Sequence, residues 1–167
     1  MLRDLAGDPA LSAALRAYYD SAANPADRSP FEKLLEASEA HPDLAWFFAD
    51  WVDADKGLPD LTIEGVFPTR ASAGNWLVAV HVANAGYAAA DVPVTVRSGS
   101  SSDARFVTQR LRVPARGKAI VRILIQGRPT EVQVNDGSVP ETQASVHVTS
   151  LDQPEANPSA TASPMQP

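Results

Sequence analysis

The fold is decided by residues 43–63, which read Asp43-Leu-Ala-Trp-Phe-Phe-Ala-Asp-Trp-Val-Asp-Ala-Asp-Lys-Gly-Leu-Pro-Asp-Leu-Thr-Ile63. The first half of this stretch has large apolar residues at i, i+3, i+4, i+7 and i+8, a helical period. These residues are Leu44, Phe47, Phe48, Trp51 and Val52. Leu61 and Ile63 then begin the alternation of a strand. Gly57 can adopt the left-handed conformation that ends a helix, and Pro59 prevents the helix from continuing, so the sequence predicts helices before residue 57 and strands after it.

The first 57 residues contain three starts of the same kind, a polar residue followed by proline, which is typical of the first turn of a helix. The pairs are Asp8-Pro9, Ser29-Pro30 and His41-Pro42. The spacing predicts a first helix over about 9–22, ended by Asn24-Pro25, and a second over about 30–40. We expect the first helix to bury Leu11, Leu15 and Tyr18. The third helix is the one within residues 43–57.

The rest of the chain consists of short alternating runs separated by turn residues. Seven runs are expected at about 60–67, 75–84, 91–98, 105–113, 118–126, 130–135 and 142–149. With no helical pattern between them, they predict an antiparallel β-sandwich of the immunoglobulin or fibronectin type, without the disulfide of antibody domains because the chain has no cysteine. The predicted organisation is a helical segment over 1–57, a sandwich over 58–150 and a disordered Pro/Ser/Ala-rich tail over 151–167.

The net charge of −6 is divided unevenly between these parts. Residues 1–57 hold five basic and eleven acidic residues, whereas residues 58–150 hold nine basic and seven acidic ones. This distribution argues against a nucleic-acid partner, which needs a concentrated basic surface. No apolar run is long enough to predict membrane insertion. The basic residues near one predicted hairpin are expected to attract the acidic helices of the same chain, and they are Arg110, Arg112, Arg116, Lys118 and Arg122.

Residues of the kind that carry catalysis or bind metal do not form a recognised pattern. The histidines, at positions 41, 81 and 147, include no His-Glu-x-x-His, and neither a Gly-x-Ser-x-Gly turn nor a glycine-rich phosphate loop occurs. Asp50, Asp53 and Asp55 lack the spacing of a calcium-binding loop, and a solvated helix face explains them better. We therefore predict no catalytic residue, no metal and no cofactor.

Several of these residues carry a resemblance to a known family. Leu15, Arg16 and Tyr18, then Phe31, then the third helix with Gly57 and Pro59, resemble the end of the catalytic domain of aminopeptidase N-type zinc metallopeptidases (gluzincins). In that family a Leu-x-x-Phe-Phe-x-x-Trp helix runs through Gly-x-Pro into the first strand of a β-sandwich. The later stretch Val132-Gln-Val-Asn-Asp-Gly-Ser-Val-Pro140 resembles the closing strand segment of that sandwich.

The resemblance implies a noncatalytic role. The family's zinc ligands and catalytic tyrosine lie upstream of the matching segment, so none is assigned here, and neither Tyr18 nor Tyr19 is taken as that tyrosine. The chain then resembles the C-terminal, structural portion of such a peptidase, zinc belongs to the parent family, and the missing catalytic portion is the expected partner. The predicted interdomain residues are Phe47, Phe48, Trp51, Gly57, Pro59, Ile120 and Leu124. Ile120 and Leu124 are included because they occupy the outer face of the strand at 118–126, where we expect the helices to cover them.

An alternative interpretation comes from a different class of protein. Residues 80–87, Val-His-Val-Ala-Asn-Ala-Gly-Tyr, with residues 92–96, Val-Pro-Val-Thr-Val, resemble a strand pair of bacterial adhesion-type immunoglobulin-like modules. The chain would then be a stand-alone binding module with a helical cap, although such modules have no reason to carry the helix-to-Gly-x-Pro junction. The start of the chain lacks the apolar core of a signal peptide, whereas the Pro/Ser/Ala/Thr composition of the tail favours an exported or periplasmic setting over a cytoplasmic one.

Overall fold

The computed structural model describes residues 1–21, 29–37, 43–100, 102–143 and 145–151. Within them the chain is an α+β protein, with helices first and two antiparallel sheets after them. Four sequence-based predictions lie outside the described residues. They are the end of the first helix at Asn24-Pro25, the last residues of the second helix up to 40, the helix start at His41-Pro42, and the disordered tail from residue 152 onwards.

The described helical segment contains more elements than the three predicted from sequence. They are α1 (Leu2–Ala6), α2 (Asp8–Asp20), α3 (Ser29–Glu36), α4 (Ala45–Phe47) and a π-helix (Phe48–Asp53). The first two predicted helices correspond to α2 and α3, and α1 was not expected. The predicted third helix is a short α-helical turn that widens into the π-helix, in which the Ala54 amide donates to the Ala49 carbonyl at 3.1 Å.

The helices bury a small apolar cluster around Leu35, Leu44 and Phe47. On α2 the buried position is Ala14, and Tyr18, one turn further on, packs edge-on against Phe31 with ring centroids 6.1 Å apart. Leu15 is 42% exposed, so the prediction that it is buried was wrong. The reason is geometric: with 3.6 residues per turn, the residue after Ala14 lies about 100° around the helix and faces outward.

The strands form a three-stranded sheet in the order β1-β2-β5 and a four-stranded sheet in the order β4-β3-β6-β7. Every paired neighbour is antiparallel. The strands are β1 (Leu61–Arg70), β2 (Asn75–Asn84), β3 (Ala90–Ser98), β4 (Arg105–Val113), β5 (Lys118–Gln126), β6 (Pro129–Val134) and β7 (His147–Ser150). The prediction of seven antiparallel strands is confirmed.

The inner faces of the two sheets supply one apolar core. Alternate residues along β2, β3 and β5 are buried while their neighbours are not, as the period of two requires. The last strand is shorter than the predicted run at 142–149, because the Thr142 amide donates to the Pro59 carbonyl at 3.1 Å instead of joining the ladder. None of the described helices is long and apolar enough to cross a membrane.

Candidate functional site: the junction between helices and sandwich

Trp51 is the residue through which the helical segment meets the sandwich. Its indole packs against both apolar cores and stacks on Phe47, with ring centroids 6.1 Å apart and planes at 17°. The Trp51 Nε1 donates to the carbonyl of Ala89 at 2.8 Å, in the connection between β2 and β3. A partly buried indole N–H without a partner would be destabilising, and this hydrogen bond removes that cost.

Asp50 binds the other polar backbone group of Ala89, its amide. Its Oδ2 accepts a hydrogen bond from the Ala89 amide at 3.2 Å, and its Oδ1 accepts one from Lys56 Nζ at 2.7 Å. Burial opposes ionisation of this carboxyl, but the hydrogen bonds from Lys56 and Ala89 and the charge of Lys56 outweigh it, so the pKa of Asp50 is lowered. Asp50 and Trp51 therefore hold both polar backbone groups of Ala89.

Phe47 and Phe48 lie behind Trp51 on the helical side. They are 8% and 6% exposed, and their rings meet edge to face with centroids 5.4 Å apart. Both belong to the apolar cluster of the helices rather than to the core of the sandwich. They pack beside Trp51 on the helical side and do not contribute to the core of the sandwich.

The linker between the helices and β1 runs against the β2–β3 connection. Gly57 has φ +85°, the left-handed conformation expected of a residue that ends a helix, and Pro59 is buried. Gly86 lies so close to the linker that a Cβ there would be 2.4 Å from the carbonyl oxygen of Leu58. Only glycine permits this approach of two backbones.

Asn84 fixes the linker and the connection by side-chain hydrogen bonds. Its Oδ1 accepts from the amides of Asp60 at 3.0 Å and Gly86 at 2.9 Å, and its Nδ2 donates to the carbonyl of Ala88 at 2.9 Å. The side chain is 2% exposed, and a buried amide with all these partners costs little to desolvate. We call Asp50, Trp51, linker residues 57–60 and residues 84–89 the junction.

Charged residues extend the contact onto the outer face of β4. Arg110 pairs with Asp4 of α1 and, at 2.6 Å, with Asp91 of β3. Arg112 pairs with Asp43 at 2.9 Å, and its guanidinium lies 4.7 Å from the ring centroid of Trp46. The acidic helices thus lie against two of the basic residues that were expected to attract them.

The remaining basic residues of that predicted cluster have other partners. Lys118 pairs with Glu64 of β1, and Arg116 donates to the Ala85 carbonyl at 3.1 Å beside Tyr87. Arg122 makes no ion pair within the described part of the chain. Among the described residues, the ion pairs between the helical segment and this cluster are therefore made by Arg110 and Arg112 of β4.

Ile120 and Leu124 do not belong to the junction. They are 45% and 54% exposed on the outer face of the three-stranded sheet, so the expectation that the helices cover them was wrong. The helices contact β4 and the β2–β3 connection instead, because Arg110, Arg112 and Ala89 provide the charges and hydrogen-bonding groups that match their acidic side chains and Trp51. Aliphatic side chains such as Ile120 and Leu124 offer neither charges nor hydrogen-bonding groups, so they do not orient the helices.

A buried polar cluster near the junction was not found by sequence reasoning. The Glu141 side chain is 1% exposed, and its carboxylate accepts hydrogen bonds from the Leu61 amide at 2.9 Å and from Asn135 Nδ2 at 2.8 Å. It also lies 3.0 Å from His147 Nε2. The cluster joins the start of β1, the end of β6 and the start of β7. The Asn-Asp-Gly turn at 135–137 was visible in the sequence, but its carboxylate partner was not.

The candidate chemical residues are widely separated. His81 packs against Phe67 with ring centroids 4.8 Å apart and planes tilted at 57°, His147 pairs with Glu141, and His41 lies outside the described residues. Across the parts of the chain that the structure describes, no group of three or more histidine or acidic side chains is arranged to hold a metal ion. The junction is a contact between the helical segment and the sandwich that is formed by packing and hydrogen bonds.

Comparisons with known proteins add little to this description. No protein-family model matches the chain, and none of the curated proteins matches it. Among solved structures, the chain is similar to the crystal structure of a GH3 β-glucosidase from Bifidobacterium adolescentis, with 19% identity and a TM-score of 0.34. That match covers 65% of this chain and 18% of the enzyme, and at this TM-score it supports no conclusion about fold or activity.

Proposed function

We propose that this chain is the noncatalytic C-terminal part of an aminopeptidase N-type zinc metallopeptidase, and that its sandwich is a rigid spacer held against helices that close the catalytic domain. The observation that carries the proposal is the double hydrogen bond of Ala89 to Asp50 and Trp51. A spacer must keep a fixed orientation to the domain that it supports. Two directional hydrogen bonds to the backbone of one residue, Ala89, with an indole packed on both cores, provide such an orientation.

The linker supports the same role. A flexible tether between independent domains is exposed and makes few contacts. Here Pro59 is buried and Asn84 accepts a hydrogen bond from the amide of Asp60. The linker also passes so close to Gly86 that a side chain at that position would collide with it. This agrees with the resemblance of the helix, Gly57 and Pro59 to the end of the peptidase catalytic domain.

We further propose that the sandwich is of the immunoglobulin or fibronectin type. The strand order supports this assignment, since β3, β6 and β7 are neighbours in one sheet, as strands C, F and G are in immunoglobulin domains. Strands β1, β2 and β5 correspond likewise to A, B and E. The fourth strand pairs with β3 rather than with β5, which differs from the constant-type arrangement.

The missing catalytic portion is the partner in this proposal, and α2 offers it an exposed surface. Tyr19 is 82% exposed and Leu15 is 42% exposed, one turn apart on the same face of the helix. Neither belongs to the core of the sandwich or to the apolar cluster of the helices. An aromatic and an aliphatic side chain at this spacing suit packing against another helix of a larger domain.

The parentage is tested first by determining the coding sequence upstream of residue 1 in the native genome. A His-Glu-x-x-His followed by a downstream glutamate ligand, in the same frame or in a co-transcribed subunit, is the expected result. A frame without them, and with no such subunit, would contradict the proposal and leave the stand-alone binding module as the better account.

Catalytic silence is tested separately with the purified chain. Incubated with zinc and a panel of aminoacyl reporters, it should give no turnover, because the sequence contains no zinc-binding motif. Turnover that survives repurification and stops with a chelator would overturn the noncatalytic assignment. Stoichiometric, tightly bound zinc would overturn it as well.

A further inference from the structure

The outer face of the three-stranded sheet exposes a group of large apolar side chains. Phe67 and Leu124 are each 54% exposed, Ile120 is 45% exposed and Leu77 is 38% exposed. They come from all three strands, so they form one area rather than scattered single residues. We call this area, with Ala79, His81 and Arg122, the open face. Contiguous apolar areas on a folded protein mark interaction sites, whereas single exposed apolar residues do not.

The strand register places these side chains in three adjacent rows. Leu77 lies opposite Leu124 on β5, and His81 lies opposite Ile120. The middle row runs from Phe67 through Ala79 to Arg122. Because paired residues of neighbouring strands point to the same side, the cation of Arg122 is bordered by an aliphatic residue in the row on each side.

Phe67 is held in place on this face. Its ring lies over Gly65, where a Cβ would come within 2.8 Å of it, and it packs against His81 with ring centroids 4.8 Å apart. An exposed ring that is already ordered loses little conformational freedom when a partner covers it. The face is therefore prepared for contact without rearrangement.

The open face carries a positive charge, that of Arg122, which no ion pair among the described residues neutralises. Lys118, at the rim, is already paired with Glu64. Arg122 has no ion pair among the described residues, and Glu64, at the β1 bulge beside Gly65, is engaged by Lys118. A binding partner would therefore need apolar groups with a carboxylate opposite Arg122. Arginine is also enriched among the residues that contribute most of the binding energy of protein interfaces.

The opposite outer face of the same sandwich shows how such a surface is covered. There Arg112 pairs with Asp43 and lies under the ring of Trp46, and Arg110 pairs with Asp4. The cover consists of acidic and aromatic side chains of the helical segment, from α1, α4 and the residue Asp43 that precedes α4. The open face offers the same combination of an arginine and apolar surface, but the helices of this chain are already engaged on the other side.

We propose that the open face is the docking surface of another protein, which binds through an apolar patch with a carboxylate placed opposite Arg122. A second copy bound face to face would bring two Arg122 side chains together, which is unfavourable. An anionic lipid surface attracts clusters of basic residues, and this face offers one available cation. The proposal rests on β1, β2 and β5 alone and is independent of the peptidase parentage.

The test places the photoreactive amino acid p-benzoylphenylalanine at position 124 of the full chain in its native cells. Position 148 on β7 is the matched control, since Val148 is also 54% exposed but lies on the outer face of the other sheet. We expect crosslinks from position 124, and not from 148, to a single protein outside this chain. Mass spectrometry should locate them beside an acidic residue within an apolar patch.

Charge reversal then tests the contact itself. Arg122→Glu should reduce the crosslink yield from position 124 at least about tenfold, Arg122→Lys should retain most of it, and a Lys at the mapped carboxylate of the partner should restore it to Arg122→Glu. Melting curves of both variants check that the fold persists. Crosslinks only between copies, equal yields at 124 and 148, no crosslink at 124, or binding to phosphatidylserine vesicles in place of a protein would each overturn the proposal.

Discussion

The sandwich and the helical segment differ in how completely each buries its apolar residues. Among the described residues, the core cluster of the sandwich contains sixteen buried members, whereas the cluster of the helices contains six. Two of those six are alanines, Ala6 and Ala14, which bury little surface. Stability grows with buried apolar area. We therefore expect the sandwich to be stable through its own core and the helices to need their contact with the sandwich.

Separating the two parts should have the largest effect. Residues 58–151 alone should keep a β-type circular dichroism spectrum and unfold in one cooperative denaturant transition, because the core of the sandwich lies within them. Residues 1–57 alone should lose most of their helical signal, since short helices without a packing partner are unstable in water. A cooperative transition of the isolated helical segment would show that its core is sufficient by itself.

Trp51→Ala should cost about 3 kcal/mol in the free energy of unfolding, the lower end for removing a large core aromatic, because the indole is only partly buried. Trp51→Phe keeps a ring but loses the hydrogen bond to Ala89, and should cost about 1 kcal/mol. Urea denaturation measures both. Tyr19→Ala is the control, since a residue that is 82% exposed should change stability by no more than about 0.5 kcal/mol. Equal effects of the two alanine variants would remove Trp51 from the contact.

Asp50 makes the contact between the two parts sensitive to acid. Because its pKa is lowered in the folded protein, its charge stabilises that state fully above the ordinary aspartate pKa of about 3.9. This contribution is lost as the pH falls through the lowered value. Asp50→Asn should cost about 1 kcal/mol at pH 7 and almost nothing at the acidic end of the range. Unfolding free energies of both proteins between pH 7 and pH 2 give the comparison, and a constant difference would contradict it.

Leu124→Ser should have the smallest effect. Leu124 is 54% exposed beside the described helices and strands, so its loss should change stability by no more than about 0.5 kcal/mol. The adjacent core residue Ile123 is 0% exposed, and Ile123→Val should cost about 1 kcal/mol by the same measurement. A large loss for Leu124→Ser would mean that the open face is covered within this chain after all.

The strands were predictable because alternation is a local property of the sequence. The observed β2, β4 and β5 have the predicted bounds, and β1, β3 and β6 differ from theirs by no more than three residues at either end. The last strand was predicted too long, since the hydrogen bond from Thr142 to Pro59 joins residues far apart in sequence. The helices were less predictable: periodicity identified Leu44, Phe47 and Phe48 as buried, but not the exposure of Val52 or the π-helix at Phe48–Asp53.

For the candidate site, the sequence identified the residues at the helix end but not the surface that they meet. The apolar period identified Phe47, Phe48 and Trp51, and the turn residues identified Gly57 and Pro59. Charge asymmetry led to Arg110 and Arg112. The prediction for Ile120 and Leu124 is wrong because apolar side chains on an outer face do not determine where the nearest helices pack.

What the sequence by itself determined is the alternation that makes the strands, the change of period around residue 57, and the difference in charge between the two parts. These depend on neighbouring residues, whose spacing sets which side of a helix or strand they occupy. Only the tertiary structure decided that the backbone of Ala89 forms hydrogen bonds with Asp50 and Trp51, and that Glu141 is buried among Leu61, Asn135 and His147. It also decided that the described helices lie away from the exposed side chains of the open face. Those outcomes depend on which distant backbone groups and side chains come within a few ångströms of one another, and periodicity carries no information about that.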